Sequence, residues 1–394
     1  MMVEAFDFFH VGRILFGNGR SQELGEFVRL WGQRVLLVTN AGQVGDGGLV
    51  DRVVEILEHV GVTVHCFRQR GEPNVEDVEA ASRLASDHRC DGVVALGGGS
   101  AIDTGKAVAG LMTNGGSVLD YMEVIGRGQK LTRSAAPWIA VPTTAGTGAE
   151  VTRNAVIGCP EKKFKASLRS ERLLPQLALI DPTLAVDVPR SVTARSGMDA
   201  LCQLIESYTS NRAQPLTDGL ALQGIELAAR ALPKVVAAGD DLESRGKMAL
   251  AALISGITLT NVGLGAVHGF AAPAGANYPI PHGTVCARLL PPVIRANVAA
   301  LQTESPSHPY LARYARIGRA LTGANGSDDQ VIEAGIEFLT NLVDDLQIPP
   351  LREFGLTPGG FPELVALARK ASSMRYNPVT LPDDALLEIL RQAH

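Results

Sequence analysis

The chain has no block of lysine and arginine, and its 36 basic and 41 acidic residues leave a formal charge of only −5 over 394 residues. Nothing in that balance supports a nucleic-acid partner or a membrane surface recognised through basic charge. The five cysteines (66, 90, 159, 202 and 286) are scattered, odd in number and without C-x-x-C spacing. They exclude a disulfide framework and a four-cysteine structural zinc site, and they fit a reducing compartment. The first residues, Met-Met-Val-Glu-Ala-Phe-Asp-Phe-Phe-His, have neither a basic n-region nor a long apolar h-region, so no signal peptide is read and a cytoplasmic location is expected. An uninterrupted apolar run is missing too. The most apolar stretch, Met248 to Ala274, is broken by Thr258, Thr260, Asn261 and His268 and reads as a buried helix, not a membrane span.

What is present is an apolar fraction of 46% and a charged fraction of 20%, the balance of a packed globular protein. The length favours two domains. In the first half, short apolar strands (12–16, 34–39, 62–67, 91–96 and 138–141) alternate with helical patterns (21–31, 48–59 and 75–88), with Ser21 as an expected helix cap. That alternation predicts βαβ units and a mostly parallel sheet, with ligands beyond the carboxyl ends of the strands. Past Pro189 the β-branched runs give way to alanine- and leucine-rich helical patterns near 196–211, 216–231, 241–262, 283–299, 309–322, 327–344, 361–373 and 383–393. The expected division is therefore an α/β domain over residues 1–185 and an all-helical domain over 186–394.

The strongest local signal in the first half is Leu96-Gly97-Gly98-Gly99-Ser100-Ala-Ile-Asp103-Thr104-Gly105-Lys106. A strand runs through three glycines into a helix, which leaves unpaired N–H groups at a helix N-terminus with no side chains in the way. A pyrophosphate fits there, with the Ser100 hydroxyl and Asp103 close by. The loop matches neither G-x-G-x-x-G nor the Walker A pattern, and a glycine turn used only for close packing is the alternative. A second loop, Pro142-Thr143-Thr144-Ala-Gly146-Thr147-Gly148, offers hydroxyls for a nicotinamide or ribose. In the second half Asp199, His268 and His282 lie in otherwise apolar, glycine- and proline-punctuated sequence. One carboxylate and two imidazoles are the raw material of a divalent-metal site, with His268 expected at the end of a long small-residue helix.

Together with Gly71-Glu-Pro-Asn74, Leu179-Ile-Asp-Pro182, Gly197-Met-Asp-Ala-Leu201, Pro281-His-Gly283, Leu351-Arg-Glu-Phe354 and Asn377-Pro378, these stretches closely resemble the iron-containing (group III) alcohol dehydrogenase family, in order and over nearly the whole chain. The resemblance implies an α/β dinucleotide-binding domain followed by a helical domain, the dehydroquinate synthase-like architecture. It implies an NAD(P)-dependent interconversion of a small-molecule alcohol and an aldehyde or ketone, assisted by Fe2+ or Zn2+, and a homodimer. The family's metal is held by one aspartate and three histidines. Asp199, His268 and His282 match three of them, but the position four residues after the aspartate is Gln203, and a further family histidine near the substrate is replaced by Ala272.

A glutamine carbonyl is a weaker, neutral ligand, so Gln203 or a water completes the set, with Cys202 a lesser alternative. The candidate cofactor residues are Asn40, Gly97, Gly98, Gly99, Ser100, Asp103, Thr143, Thr144, Thr147 and Lys165. Neutral Asn40 leaves NADP open beside NAD. Two other readings stand: a metal-independent oxo-acid reductase resembling maleylacetate reductases, with Arg153, Lys163, Lys165 and Arg169 as candidate carboxylate partners, and a non-catalytic nucleotide-binding relative.

Overall fold

The computed structural model describes residues 5–40, 48–162 and 164–394. They divide into two compact units. One is Phe9–Asp187; the other is Val188–His394 together with residues 5–8, so the division falls two residues beyond the expected 185/186 and gives the start of the chain to the second unit.

The first unit is built on a six-stranded, all-parallel sheet of β1 (Ile14–Phe16), β2 (Arg34–Asn40), β3 (Thr63–Gln69), β4 (Gly92–Gly97), β5 (Trp138–Pro142) and β8 (Leu177–Ile180), in the order β1-β8-β5-β4-β2-β3. Continuous apolar runs form the inner strands β2, β4, β5 and β8 because both faces of the sheet are covered there, whereas the edge strand β3 carries polar, partly exposed residues. Alternate residues separate into two cores. Leu36, Val38, Val93, Ala95, Trp138 and Ala140 pack with Val78, Ala81 and Ala85 of α3 (Val75–Asp87), Ile102, Ala107 and Val108 of α4 (Gly99–Asn114) and Val118 of the short α5 (Val118–Tyr121). Val35, Leu37, Val94, Leu96, Ile139 and Val141 pack with Leu24 and Val28 of α1 (Leu24–Val28) and Val50, Val53 and Leu57 of α2 (Leu49–His59).

Because β3 lies to one side of β2 and β4 returns to the other, the strand order reverses between β2 and β4. Their carboxyl ends form the crevice where doubly wound sheets bind ligands.

Two details depart from the expectation. Ser21 does not cap a helix: its hydroxyl donates to Asp181 Oδ2 at 2.7 Å, and a short 3-10 turn over Arg20–Glu23 precedes α1. Asp181 also accepts from the backbone N–H groups of Gly19 and Ser21, so the Ile-Asp-Pro segment clasps the turn after β1. The antiparallel hairpin β6 (Asn154–Cys159) and β7 (Phe164–Arg169) was not read from sequence. Buried Lys106 fastens it to α4, donating to Ala149 O, Thr152 Oγ1 and Asn154 O at 2.7–2.8 Å.

The second unit is helical: α6 (Arg190–Thr209), α7 (Pro215–Ala237), α8 (Leu242–Val262), α9 (Ala266–Asn277), α10 (His282–Glu304), α11 (Pro309–Thr322), α12 (Asp328–Asp345), α13 (Phe361–Ala368) and α14 (Asp383–Ala393). α6 begins at Arg190, straight after Pro189, rather than near Ser196. The long small-residue helix expected to end at His268 is two helices, α8 and α9, bent by 100°. The break sits at Gly263, whose φ of +76° a β-carbon disfavours and where that atom would lie 2.5 Å from the Tyr376 ring. His268 therefore opens a helix instead of closing one. Among the described residues only α10 is by itself long and apolar enough to cross a membrane, and 67% of its apolar window is buried against the rest of the protein.

Candidate active site

Three helix segments of the second unit converge. α6 brings Asp199, Cys202, Gln203 and Glu206; the first turn of α9 brings His268; and α10 begins with His282 and carries Cys286 one turn later. Asp199 Oδ1 lies 3.3 Å from His268 Nε2 and 3.5 Å from His282 Nε2. Cys286 Sγ lies 3.7 Å from His268 Nε2 and 3.6 Å from His282 Nε2. One donor atom from each of these four residues falls within 4.8 Å of the others. Asp199, His268 and Cys286 are buried, whereas the His282 side chain is 40% exposed and opens the cluster to solvent.

Glu206 explains why His268 is presented in this way. The Gly263–Gly265 break leaves the first N–H groups of α9 without intrahelical acceptors. Glu206 Oε1 accepts from Val267 N at 2.7 Å, and Oε2 accepts from His268 Nδ1 at 2.6 Å and from His268 N at 3.4 Å. Asn377 Oδ1 takes the N–H of Ala266. One buried carboxylate thus caps the helix, holds a proton on Nδ1 and leaves Nε2 facing Asp199 and Cys286. A second carboxylate on the far nitrogen of a histidine is the usual support of a metal-ligating imidazole.

Burial of His268 and the protein packed around the His282 ring disfavour charge on both imidazoles, yet the neighbouring carboxylates and sulfur outweigh it. For His268, Cys286, Asp199 and Glu206 hold the imidazole well above its ordinary range. For His282, that desolvation is outweighed by Cys286 and Asp199 and the pKa rises to about 9. Asp199 is held low by the two imidazoles against the effect of its own burial. The Cys286 thiol is pushed well up by burial and by Cys202. The cluster is thus a strongly coupled set of carboxylate, imidazoles and thiol, and a dication binding at the same atoms would displace protons from it.

The donor set fits a divalent metal: one carboxylate oxygen and two Nε2 atoms converge, one of the imidazoles supported from behind. Gln203 is buried on the same helix, but its Oε1 accepts from Ser255 Oγ at 2.7 Å. Cys202 is buried with its sulfur 3.9 Å from His268 Nδ1 rather than Nε2, and burial raises its thiol to about 12. Ala272 is half-buried on α9, one turn beyond His268. Glu206 and Cys286 were missed in the sequence. Both had a signal: Glu206 lies two helical turns after Asp199, and Cys286 lies four residues after His282 on one helix face.

In the first unit, the glycine loop occupies the strand-order reversal. Gly97 has φ +154°, and a β-carbon there would come within 2.3 Å of Asn40 Oδ1. That oxygen accepts from Gly98 N at 2.8 Å, so Asn40 shapes the loop from the end of β2. α4 starts at Gly99 without a side-chain cap, leaving its first N–H groups, beside half-buried Ser100, for an anion. Asp103 is turned into the protein: Oδ1 meets Lys106 Nζ at 3.4 Å and Oδ2 accepts from Val156 N at 3.0 Å. Thr143 is buried and its N–H donates to Gly97 O, Thr144 is half-buried beside Gly98, and Thr147 is exposed with its Oγ1 accepting from Ala149 N. Lys165 pairs with Glu72, Arg169 with Glu123, and Arg153 stacks on the Phe9 ring at 4.1 Å. Lys163 and Ala41 to Gly47, the remainder of the loop after β2, lie outside the described residues.

Residues 12–182 match the family described as iron-containing alcohol dehydrogenase, and residues 193–394 match the Fe-containing alcohol dehydrogenase family, C-terminal. The chain is 36% identical to the 1,3-propanediol dehydrogenase of Klebsiella pneumoniae, with all of both chains covered. Among solved structures it is similar to a 1,3-propanediol oxidoreductase (TM-score 0.92, 34% identity, 99% of this chain and 100% of that one). It is also similar to the sulfoacetaldehyde reductase of Bifidobacterium kashiwanohense in complex with NAD+ (TM-score 0.87, 29% identity, 99% of each chain).

Proposed function

We propose the following site for this chain, which belongs to the iron-containing alcohol dehydrogenase family and is an oxidoreductase interconverting an alcohol and an aldehyde or ketone by hydride transfer. Asp199, His268 and His282 hold the divalent metal, Fe2+ or Zn2+, and NAD is the preferred dinucleotide. The observation that carries this is the convergence of Asp199 Oδ1 with the Nε2 atoms of both histidines at 3.3 and 3.5 Å. Bound there, the cation supplies Lewis acidity toward the substrate oxygen. Glu206 keeps the proton on His268 Nδ1, so that Nε2 is a lone-pair donor. His282, the exposed member, marks the side from which substrate enters. In the α/β domain, Gly97 to Ser100 present backbone N–H groups to the pyrophosphate, Asn40 and buried Thr143 fix that loop, and Thr144 and Thr147 line the approach of the nicotinamide ribose.

Arg153, Lys165 and Arg169 are engaged by Phe9, Glu72 and Glu123, which weighs against an oxo-acid reductase that needs cations for a second carboxylate. The protein is read as a cytoplasmic homodimer acting on small molecules, with no nucleic-acid or membrane partner; light scattering tests the dimer.

The deciding experiment measures metal content and NAD+-dependent oxidation across a panel of short alcohols and diols for the native chain and Asp199→Ala. The native chain carries about one metal per chain, and the variant loses it with kcat falling on the order of a thousandfold. Full turnover by metal-free protein would overturn the metal role. Nucleotide binding without turnover on any substrate would favour a non-catalytic relative.

A further inference from the structure

We propose that Cys286 is a ligand of this metal, making the resting site a zinc site of Asp199, His268, His282 and a thiolate that takes the substrate oxygen as a fifth donor. The inference rests on the metal-assisted reading above and adds a donor that the aspartate-and-histidine pattern does not contain.

Ligand atoms around a tetrahedral zinc stand about 3.3 Å apart for nitrogen–oxygen pairs and about 3.6 Å apart for nitrogen–sulfur pairs, given Zn–N and Zn–O near 2.0–2.1 Å and Zn–S near 2.3 Å. The cluster shows 3.3 and 3.5 Å from Asp199 Oδ1 to the two Nε2 atoms, and 3.7 and 3.6 Å from Cys286 Sγ to the same two atoms. Both sulfur contacts are to the Nε2 atoms that also face Asp199 Oδ1, and in His268 the other ring nitrogen is already occupied by Glu206. Cys202 fails this criterion because its sulfur faces Nδ1 at 3.9 Å. Gln203 is tied instead to Ser255.

His282 and Cys286 lie four residues apart at the start of α10, so a single helix face presents both. Ligation releases the thiol proton to solvent, and the two anionic donors then neutralise the dication among buried side chains. The Glu206 charge is already met by the N-terminus of α9. A thiolate favours zinc over ferrous iron, as does the general affinity order of these metals. The chain has thus exchanged an imidazole on α6 for a sulfur on α10.

The test is zinc-edge X-ray absorption on the metal-loaded full-length protein, with the Co2+-substituted form examined for thiolate-to-metal charge-transfer absorption. The native chain should show one sulfur at about 2.3 Å. Cys202→Ser should keep it. Cys286→Ser should lose both the sulfur shell and the charge-transfer band, with zinc affinity falling on the order of 100-fold and the preference for zinc over Fe2+ reduced.

The native spectrum decides even if Cys286→Ser does not fold. A shell of oxygen and nitrogen alone overturns the assignment while leaving the metal-assisted dehydrogenase intact. Sulfur that disappears in Cys202→Ser, or persists in Cys286→Ser, assigns the ligand elsewhere and overturns it as well. Active protein that binds no metal overturns this inference and the metal reading together.

Discussion

Replacing Glu206 by glutamine isolates the support of His268 from its ligation. Three N–H groups point at this buried carboxylate: Val267 N on Oε1, and His268 N with His268 Nδ1 on Oε2. A glutamine has one accepting oxygen. If it takes the Oε2 position, its NH2 group faces the N–H of Val267, and a buried donor goes unsatisfied at about 1–3 kcal/mol. If it takes the Oε1 position, its NH2 group faces His268 Nδ1. The imidazole must then carry its proton on Nε2, which removes the lone pair the metal needs.

Either way the metal is held less well, by about 10–100-fold for loss of such a supporting partner, or about 1.4–2.7 kcal/mol. Competition with a chromophoric chelator reads the metal dissociation constant directly. Urea unfolding reads the stability cost separately, and Glu206→Asp, which keeps the charge, should restore part of the metal affinity. A Glu206→Gln protein that binds metal within about twofold of native, at native stability, would refute the claim that Glu206 fixes the His268 tautomer.

The glycine loop and the buried charges of the α/β unit give two further tests. Gly97→Ala forces a β-carbon into φ +154° and to within 2.3 Å of Asn40 Oδ1, so it should cost about 1–3 kcal/mol of stability and raise the KM for NAD+ far more than the KM for alcohol; equal changes in both would contradict a dinucleotide role for the loop. Burial lifts Glu150 to about 7, against the lowering effects of a backbone hydrogen bond and of Lys106, so its folded value exceeds the unfolded one. The stability it lends is complete below about pH 4.5 and is lost as pH rises through about 7, in total about 3 kcal/mol. Urea melts at about pH 5 and about pH 8 should show that decline in the native chain and a flatter profile in Glu150→Gln; identical profiles would place Glu150 in a solvated environment.

The parallel sheet was legible because β2, β4 and β5 are buried on both faces and therefore read as unbroken apolar runs bounded by turn residues. The hairpin of β6 and β7 was not. Its strands, Asn-Ala-Val-Ile-Gly-Cys and Phe-Lys-Ala-Ser-Leu-Arg, mix apolar with small, polar and charged residues, and what holds them is long-range: Ala155, Ile157, Ala166 and Leu168 pack into the core and Lys106 donates to Asn154 O. The α8–α9 break was hidden for a related reason. Glycine within an alanine-rich helical pattern is tolerated, and the Tyr376 ring that packs against Gly263 at the bend comes from more than a hundred residues later in the chain.

The same reasoning separates the parts of the site. Asp199, His268 and His282 could be named because their matching motifs give residue type and order without any knowledge of the bend between α8 and α9. Glu206 could not be assigned from spacing alone. Its place two turns after Asp199 puts it on the right helix face, but its function exists only once the bend turns the first N–H groups of α9 toward it. A helix continuous through residue 268 would satisfy those N–H groups internally and would leave Glu206 a buried charge with no donor beyond the imidazole, a costly arrangement. The bend and the carboxylate therefore depend on each other: Gly263 makes the acceptor-free helix start, Glu206 stabilises it, and His268 is aimed as a result. Loss of either should misplace the imidazole even though every ligand remains in the sequence.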